Sequence, residues 1–110
     1  FVADTWNGRV QVFDREGNYV RQWESRGWHG QSLDNKPYLT VDREGRLIAS
    51  DPEGYRIMVW DAIGTPLELW GDYGNNAQAF DLPTGIALDG QGGLFVIDAG
   101  NSRLMYFALD

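Results

Sequence analysis

The chain has 110 residues, a formal net charge of −7, no cysteine and a single histidine. With 16 acidic against 9 basic residues and no basic run, it lacks what binding to nucleic-acid phosphates or to an anionic membrane surface requires. Disulfides, thiolate metal sites and cysteine nucleophiles are excluded, and no apolar stretch approaches the roughly 20 residues of a membrane span. In chain order, the apolar runs are Phe1-Val2-Ala3, Val10-Gln11-Val12-Phe13, Leu39-Thr40-Val41, Leu47-Ile48-Ala49, Arg56-Ile57-Met58-Val59-Trp60, Ile86-Ala87-Leu88, Leu94-Phe95-Val96-Ile97 and Leu104-Met105-Tyr106-Phe107. They are short, rich in branched and aromatic residues, and separated by turn signals, which predicts strands. No segment keeps a helical period.

The turns share one chemistry. Asp14 to Gly17, Asp42 to Gly45, Asp61 to Gly64 and Asp89 to Gly92 all read Asp-x-x-Gly. Asp at the first position can accept hydrogen bonds from N–H groups two or three residues on. Gly then supplies the left-handed conformation of a type I turn with a bulge.

These features recur every 47 residues. Asp4, Asp51 and Asp98 keep that spacing, as do Arg9, Arg56 and Arg103, and Phe13, Trp60 and Phe107. So do the pairs Trp23/Trp70, Gly27/Gly74, Gln31/Gln78, Asp34/Asp81 and Asp42/Asp89. A fixed period of this length marks a solenoid or a propeller. Each repeat reads as two hairpins, strands a to d. The units run approximately 1–25 (b, c, d), 26–71 (a complete blade) and 72–110 (a, b, c), within one partial domain over 1–110. A repeat buries its apolar face against neighbours, and roughly three or more are needed for stability. The expectation is therefore a piece of a longer protein or a subunit completed by other chains.

Between strands b and c lie Asp4-Thr5-Trp6-Asn7-Gly8-Arg9, Asp51-Pro52-Glu53-Gly54-Tyr55-Arg56 and Asp98-Ala99-Gly100-Asn101-Ser102-Arg103. Asn7, Gly54 and Asn101 are the types that best tolerate positive φ. The Asp and Arg are expected to pair across the hairpin mouth or with the adjacent unit, an exposed pair contributing about 0–1 kcal/mol and serving loop geometry.

At these residues the chain resembles the NHL-repeat family, whose pattern runs Pro-x-Gly-Ile-Ala-x-Asp, then Val-Ala-Asp, then Asn-x-Arg-Val-x-x-Phe. Leu82-Pro83-Thr84-Gly85-Ile86-Ala87-Leu88-Asp89 fits the first part, and Val2-Ala3-Asp4-Thr5-Trp6-Asn7-Gly8-Arg9-Val10-Gln11-Val12-Phe13 fits the rest. The middle unit departs most, with Lys36-Pro37-Tyr38 in place of Pro83-Thr84-Gly85. The resemblance implies an all-β, four-stranded-blade β-propeller, here an incomplete ring, and leans to an extracytoplasmic or secreted setting. Trp60-Asp61 matches the dipeptide of WD40 repeats, but the aligned positions hold Phe13-Asp14 and Phe107-Ala108, and no Gly-His precedes them.

Lyases and hydrolases related to this propeller family use central metal sites built from His and carboxylates of several blades. His29 alone cannot assemble one, although further blades could supply the other ligands. The acidic turns lack the alternating oxygen ligands of a Ca²⁺ loop. The sequence therefore assigns no catalytic residue, metal or cofactor. Trp23, Trp60 and Trp70 sit in strands and are expected to pack between blades. Trp6, Trp28, Tyr55 and Tyr73 lie in the b–c and d–a connections and have no aromatic at the aligned positions. In a propeller those connections share one face, so with Arg26 and His29 these residues form the candidate binding patch for a protein, peptide or glycan. The rival readings are a fragment of a propeller lyase or hydrolase, and a structural segment whose partners are further blades or copies of itself.

Overall fold

The computed structural model describes residues 1–30, 32 and 34–109; Gln31 and Asp110 lie outside the described residues. Three antiparallel meanders follow one another along the chain. The first holds β1 (Val2–Asp4), β2 (Arg9–Phe13) and β3 (Tyr19–Glu24). The second holds β4 (Leu39–Val41), β5 (Leu47–Asp51), β6 (Arg56–Trp60) and β7 (Pro66–Trp70). The third holds β8 (Pro83–Leu88), β9 (Gly93–Asp98) and β10 (Arg103–Ala108). The chain is an all-β propeller segment with an incomplete ring, as the resemblance in its repeats implies.

Four of the hairpins are the Asp-x-x-Gly turns. Their glycines hold φ of 86°, 80°, 95° and 88° at Gly17, Gly45, Gly64 and Gly92. Each Asp accepts through Oδ1 from the amides two and four residues on, as Glu16 and Asn18 donate to Asp14 at 3.0 and 2.8 Å. The second donor is thus one residue later than expected, because the bulged turn brings the first residue of the next strand back over the carboxylate. The strand pairings slip at Val12/Phe13 and Val59/Trp60, where the turn's extra residue is absorbed.

The pleat sends alternate side chains to opposite faces of the middle sheet. Leu47, Ala49, Met58 and Trp60 pack toward the first sheet with Val10, Trp28 and Trp23. Ile48, Ile57 and Val59 pack toward the third with Phe80, Leu94 and Val96. The two central strands of the middle sheet, β5 and β6, are buried on both faces, whereas in β10 burial strictly alternates. The outward face of the third sheet therefore displays Phe95, Ile97, Leu104 and Tyr106.

Candidate functional site

The loops between strands b and c are single 3-10 turns: Thr5–Asn7, Pro52–Gly54 and Ala99–Asn101. Each closes on a residue in the left-handed region, with φ of 62° at Gly8, 58° at Tyr55 and 54° at Ser102. The positive φ thus falls one residue after Asn7, Gly54 and Asn101. The cause is the turn's i→i+3 closure, in which the capping residue returns its amide to Thr5, Pro52 or Ala99. Asn7 and Asn101 serve instead as side-chain donors, to Asp4 Oδ2 at 3.0 Å and Asp98 Oδ2 at 2.8 Å.

The Asp–Arg pairs form within each hairpin. Arg9, Arg56 and Arg103 donate through Nε to Asp4, Asp51 and Asp98 at 2.7, 2.8 and 2.8 Å. The expectation of exposed pairs fails for two of the three, because the Asp51 and Asp98 side chains are wholly buried while Asp4 keeps 25% exposure. What buries them is the connection entering each blade. Gly27 lies so close to the second pair that a Cβ there would meet Asp51 Oδ2 at 2.3 Å and Arg56 Nη2 at 2.4 Å.

In the third sheet the same connection is bound through its backbone. Asn101 Nδ2 donates to Gly74 O at 2.8 Å, and Arg103 donates to Asn75 O, Asn76 O and Ala79 O at 2.8, 2.8 and 2.9 Å. The Asp81 amide donates to Asp98 Oδ1 at 2.7 Å, and the Gly100 amide to Asp81 O at 2.7 Å. In the middle blade Glu53 takes part of this work, accepting from the Ser32 amide and from Asn35 Nδ2. Asp51 Oδ1 has no partner among the described residues. Its desolvation pushes the Asp51 carboxyl above its ordinary range, against the pull of Arg56. Asp4 shows the opposite: the Asn7 amide, then Arg9, holds its carboxyl low.

The candidate binding residues divide. Trp28 is fully buried, edge-on to Trp60 with ring centroids 6.2 Å apart, and its indole Nε1 donates to Ser50 O at 3.4 Å. It plugs the gap between the first two sheets and presents nothing to a partner, which removes it from the patch. Phe80 plugs the next gap in the same way. Trp6 and Tyr73 are 69% and 65% exposed. Tyr73 packs against half-buried Tyr55 with centroids 4.8 Å apart. Arg26 and His29 are exposed, and His29 lies over Gly8, where a Cβ would meet its ring at 2.4 Å. The described residues hold no group of three or more His, Asp or Glu able to grip a metal ion. The residues that sequence reasoning missed are the loop amides and Asn101, which hold backbone; the recurrence of Asn7 at Asn101 was the available signal.

No protein-family model and no curated protein matches the chain. Among solved structures, that of a streptogramin B lyase superposes with a TM-score of 0.60 at 19% identity. The match covers 93% of this chain but only 34% of the lyase, so the chain spans about a third of that protein's length. At that identity the likeness shows the fold alone, and the fold is that of a β-propeller.

Proposed function

We propose that this segment is a non-catalytic binding and scaffold module of NHL-repeat type, which recognises a protein, peptide or glycan on its loop face. The observation that carries the reading is the exposure of Trp6 and Tyr73, at 69% and 65%, on loops whose aligned positions in the other repeats hold no aromatic. Blade construction makes the same demands of every repeat, so an exposed aromatic that does not recur is spare for recognition. Tyr55 braces Tyr73, and Arg26 and His29 add donors to the same face. Buried aromatic anchors of binding sites typically cost about 2 kcal/mol or more on truncation, close to a thirtyfold loss of affinity. The test is binding of the chain to arrays of glycans and peptides, with Trp6→Ala and Tyr73→Ala compared on every ligand retained. Unchanged affinity in both variants, with circular dichroism intact, would remove the loop face from the site.

A second reading, association between copies, is favoured by the outward faces. Phe95, Leu104 and Tyr106 occupy the repeat positions of Ile48, Ile57 and Val59, which in the middle sheet are buried against the next blade. An apolar face of this kind promotes association. A monodisperse monomer in light scattering across concentration would exclude it.

A further inference from the structure

The three sheets engage their loop arginines differently. Arg9 Nη1 donates to the side-chain amide oxygen of Gln22 at 3.2 Å, and the Nη groups of Arg103 donate to the carbonyls of Asn75, Asn76 and Ala79. Arg56 donates to Asp51 through Nε, and among the described residues its Nη groups have no acceptor. The sequence supplies the reason. Leu69 stands one period after Gln22, in the same register, with Gln22 opposite Gln11 and Leu69 opposite Met58. Leucine accepts no hydrogen bond, and this one keeps 58% exposure beside the arginine.

Arg56 lines a groove of about 300 Å³ between the first two sheets. Both walls belong to this chain: the end of β3 with the connection that follows it, and strands β6 and β7. Arg56, Met58 and Trp60 are alternate residues of β6 and share its face toward the first sheet. Met58 and Trp60 are nearly buried and, with Leu69, make an apolar floor. The exposed Glu24 and Glu68 carboxylates also line the groove, and neither has a donor among the described residues. The groove therefore offers free N–H donors and free carboxylate acceptors beside one another. A ligand carboxylate would meet Glu24 and Glu68, and a ligand ammonium would meet Arg26 and Arg56. A primary amide is neutral and complements both, since its oxygen accepts from a guanidinium and its nitrogen donates to a carboxylate.

We propose that this groove docks a glutamine side chain presented by an extended peptide segment of a partner protein. The amide oxygen sits on the Nη groups of Arg56, and an apolar side chain two residues along the segment, on the same face of the extended chain, lies on Met58, Trp60 and Leu69. The first sheet already shows this chemistry within the chain, where the Gln22 amide oxygen accepts from Arg9. In the second sheet the arginine is retained and the glutamine is not, so the acceptor comes from the partner. Trp6 and Tyr73, which carry the loop-face reading, do not line the groove, so the two proposals fail separately.

The probe is the blocked peptide acetyl-Leu-Ser-Gln-Ser-Leu-amide, titrated into the full chain and followed by tryptophan fluorescence and calorimetry. Saturable binding is expected, and at least tenfold weaker binding when the central Gln is replaced by Met, which has its shape without the amide, or by Glu, which adds charge. Leu69→Gln sets an acceptor against Arg56 as Gln22 is set against Arg9, and is expected to weaken binding of the Gln peptide at least tenfold. Because Leu69 is exposed, the circular dichroism of that variant is expected to match the parent's. Tyr73→Ala is expected to leave binding unchanged. Absence of saturable binding, or a Met or Glu peptide that binds the unmodified chain as tightly as the Gln peptide, would overturn the proposal whatever the variant does. So would undiminished binding by a folded Leu69→Gln protein, or a loss on Tyr73→Ala, which would move the peptide to the loop face.

Discussion

Trp28 and Trp6 are chemically the same residue in loops of the same face, and the structure sets their consequences far apart. Trp28→Ala removes an indole with no solvent exposure from the contact between Val10, Leu47, Ala49, Met58 and Trp60. Truncating a buried Trp to Ala typically costs about 3–5 kcal/mol, the sum of lost transfer energy and the cavity left behind. The lower part of that range applies if the connection of residues 26–30 collapses into the gap, the upper part if it does not. Trp6→Ala removes a side chain that is mostly in water, and surface changes of that kind stay within about 0.5 kcal/mol. The assay is urea denaturation of the three proteins, followed by circular dichroism, with slopes checked so that midpoints convert to free energies. At about 4–8 °C per kcal/mol for a domain of this size, thermal melts separate the variants by more than about 10 °C. A Trp28→Ala protein within 0.5 kcal/mol of the parent would show that the indole is not an inter-sheet plug, and would return Trp28 to the candidate binding patch.

Three further outcomes follow from the turns and the buried pairs. Gly64→Ala is expected to melt well below Gly17→Ala: both hold positive φ, but a Cβ at Gly64 meets the Trp23 ring at 2.6 Å whereas at Gly17 it meets nothing. Equal melting temperatures would mean that Trp23 yields freely. Arg56→Ala leaves the buried Asp51 carboxylate without its cation, a loss typically of about 3–5 kcal/mol at neutral pH. Because burial raises the folded-state pKa of Asp51, the native state binds its proton more tightly than the unfolded chain does. Losing Arg56, which holds that pKa down, raises it further, so the deficit of Arg56→Ala is largest above the variant's folded-state pKa and shrinks as the pH falls through the window between the variant's value and the parent's; a deficit independent of pH between about 7 and 4 would refute it. The turn carboxylates behave in the opposite sense. Backbone donors, from Asn18 and Thr65 first, hold Asp14 and Asp61 low, so their stabilisation is complete above 3.8 and is lost as the pH falls through the lowered values. Asp61→Asn is expected to flatten the acid limb of the parent's stability profile, and an unchanged limb would count against the turn hydrogen bonds.

Much of the architecture was legible because its causes are local. Alternating apolar residues, an Asp and a Gly three apart, and a constant period specify strands, hairpins and their succession without reference to distant contacts. The left-handed residue was misplaced by one because Asn7 and Asn101 look like backbone choices, while Tyr55 and Ser102 do not advertise the strain they carry at φ of 58° and 54°. The 3-10 closure, a property of the whole turn, decides the matter. Trp28 was misread for a different reason. Aligned by period it faces Asn75 and looks unrepeated. Each connection nevertheless inserts one large apolar side chain into the gap it crosses, Trp28 in one and Phe80 in the next, at different points along the loop. Recurrence of a role without recurrence of a position is invisible to an alignment. The burial of Asp51 and Asp98 was equally hidden, since it is imposed by chain that lies more than a dozen residues upstream.

That upstream covering also ties one sheet to the next. A carboxylate such as Asp98 can leave water without penalty only once residues 74–81 have brought their carbonyls to Arg103 and the Asp81 amide to its Oδ1. Those residues are in turn fixed at their other end by the sheet that precedes them, through Tyr73 on Tyr55 and Phe80 among Ile48, Ile57 and Val59. Closure of the third sheet's loop and anchoring of the connection to the second sheet are thus energetically coupled, and a third sheet separated from residues 74–81 leaves the Asp98 charge without the cover that its burial requires.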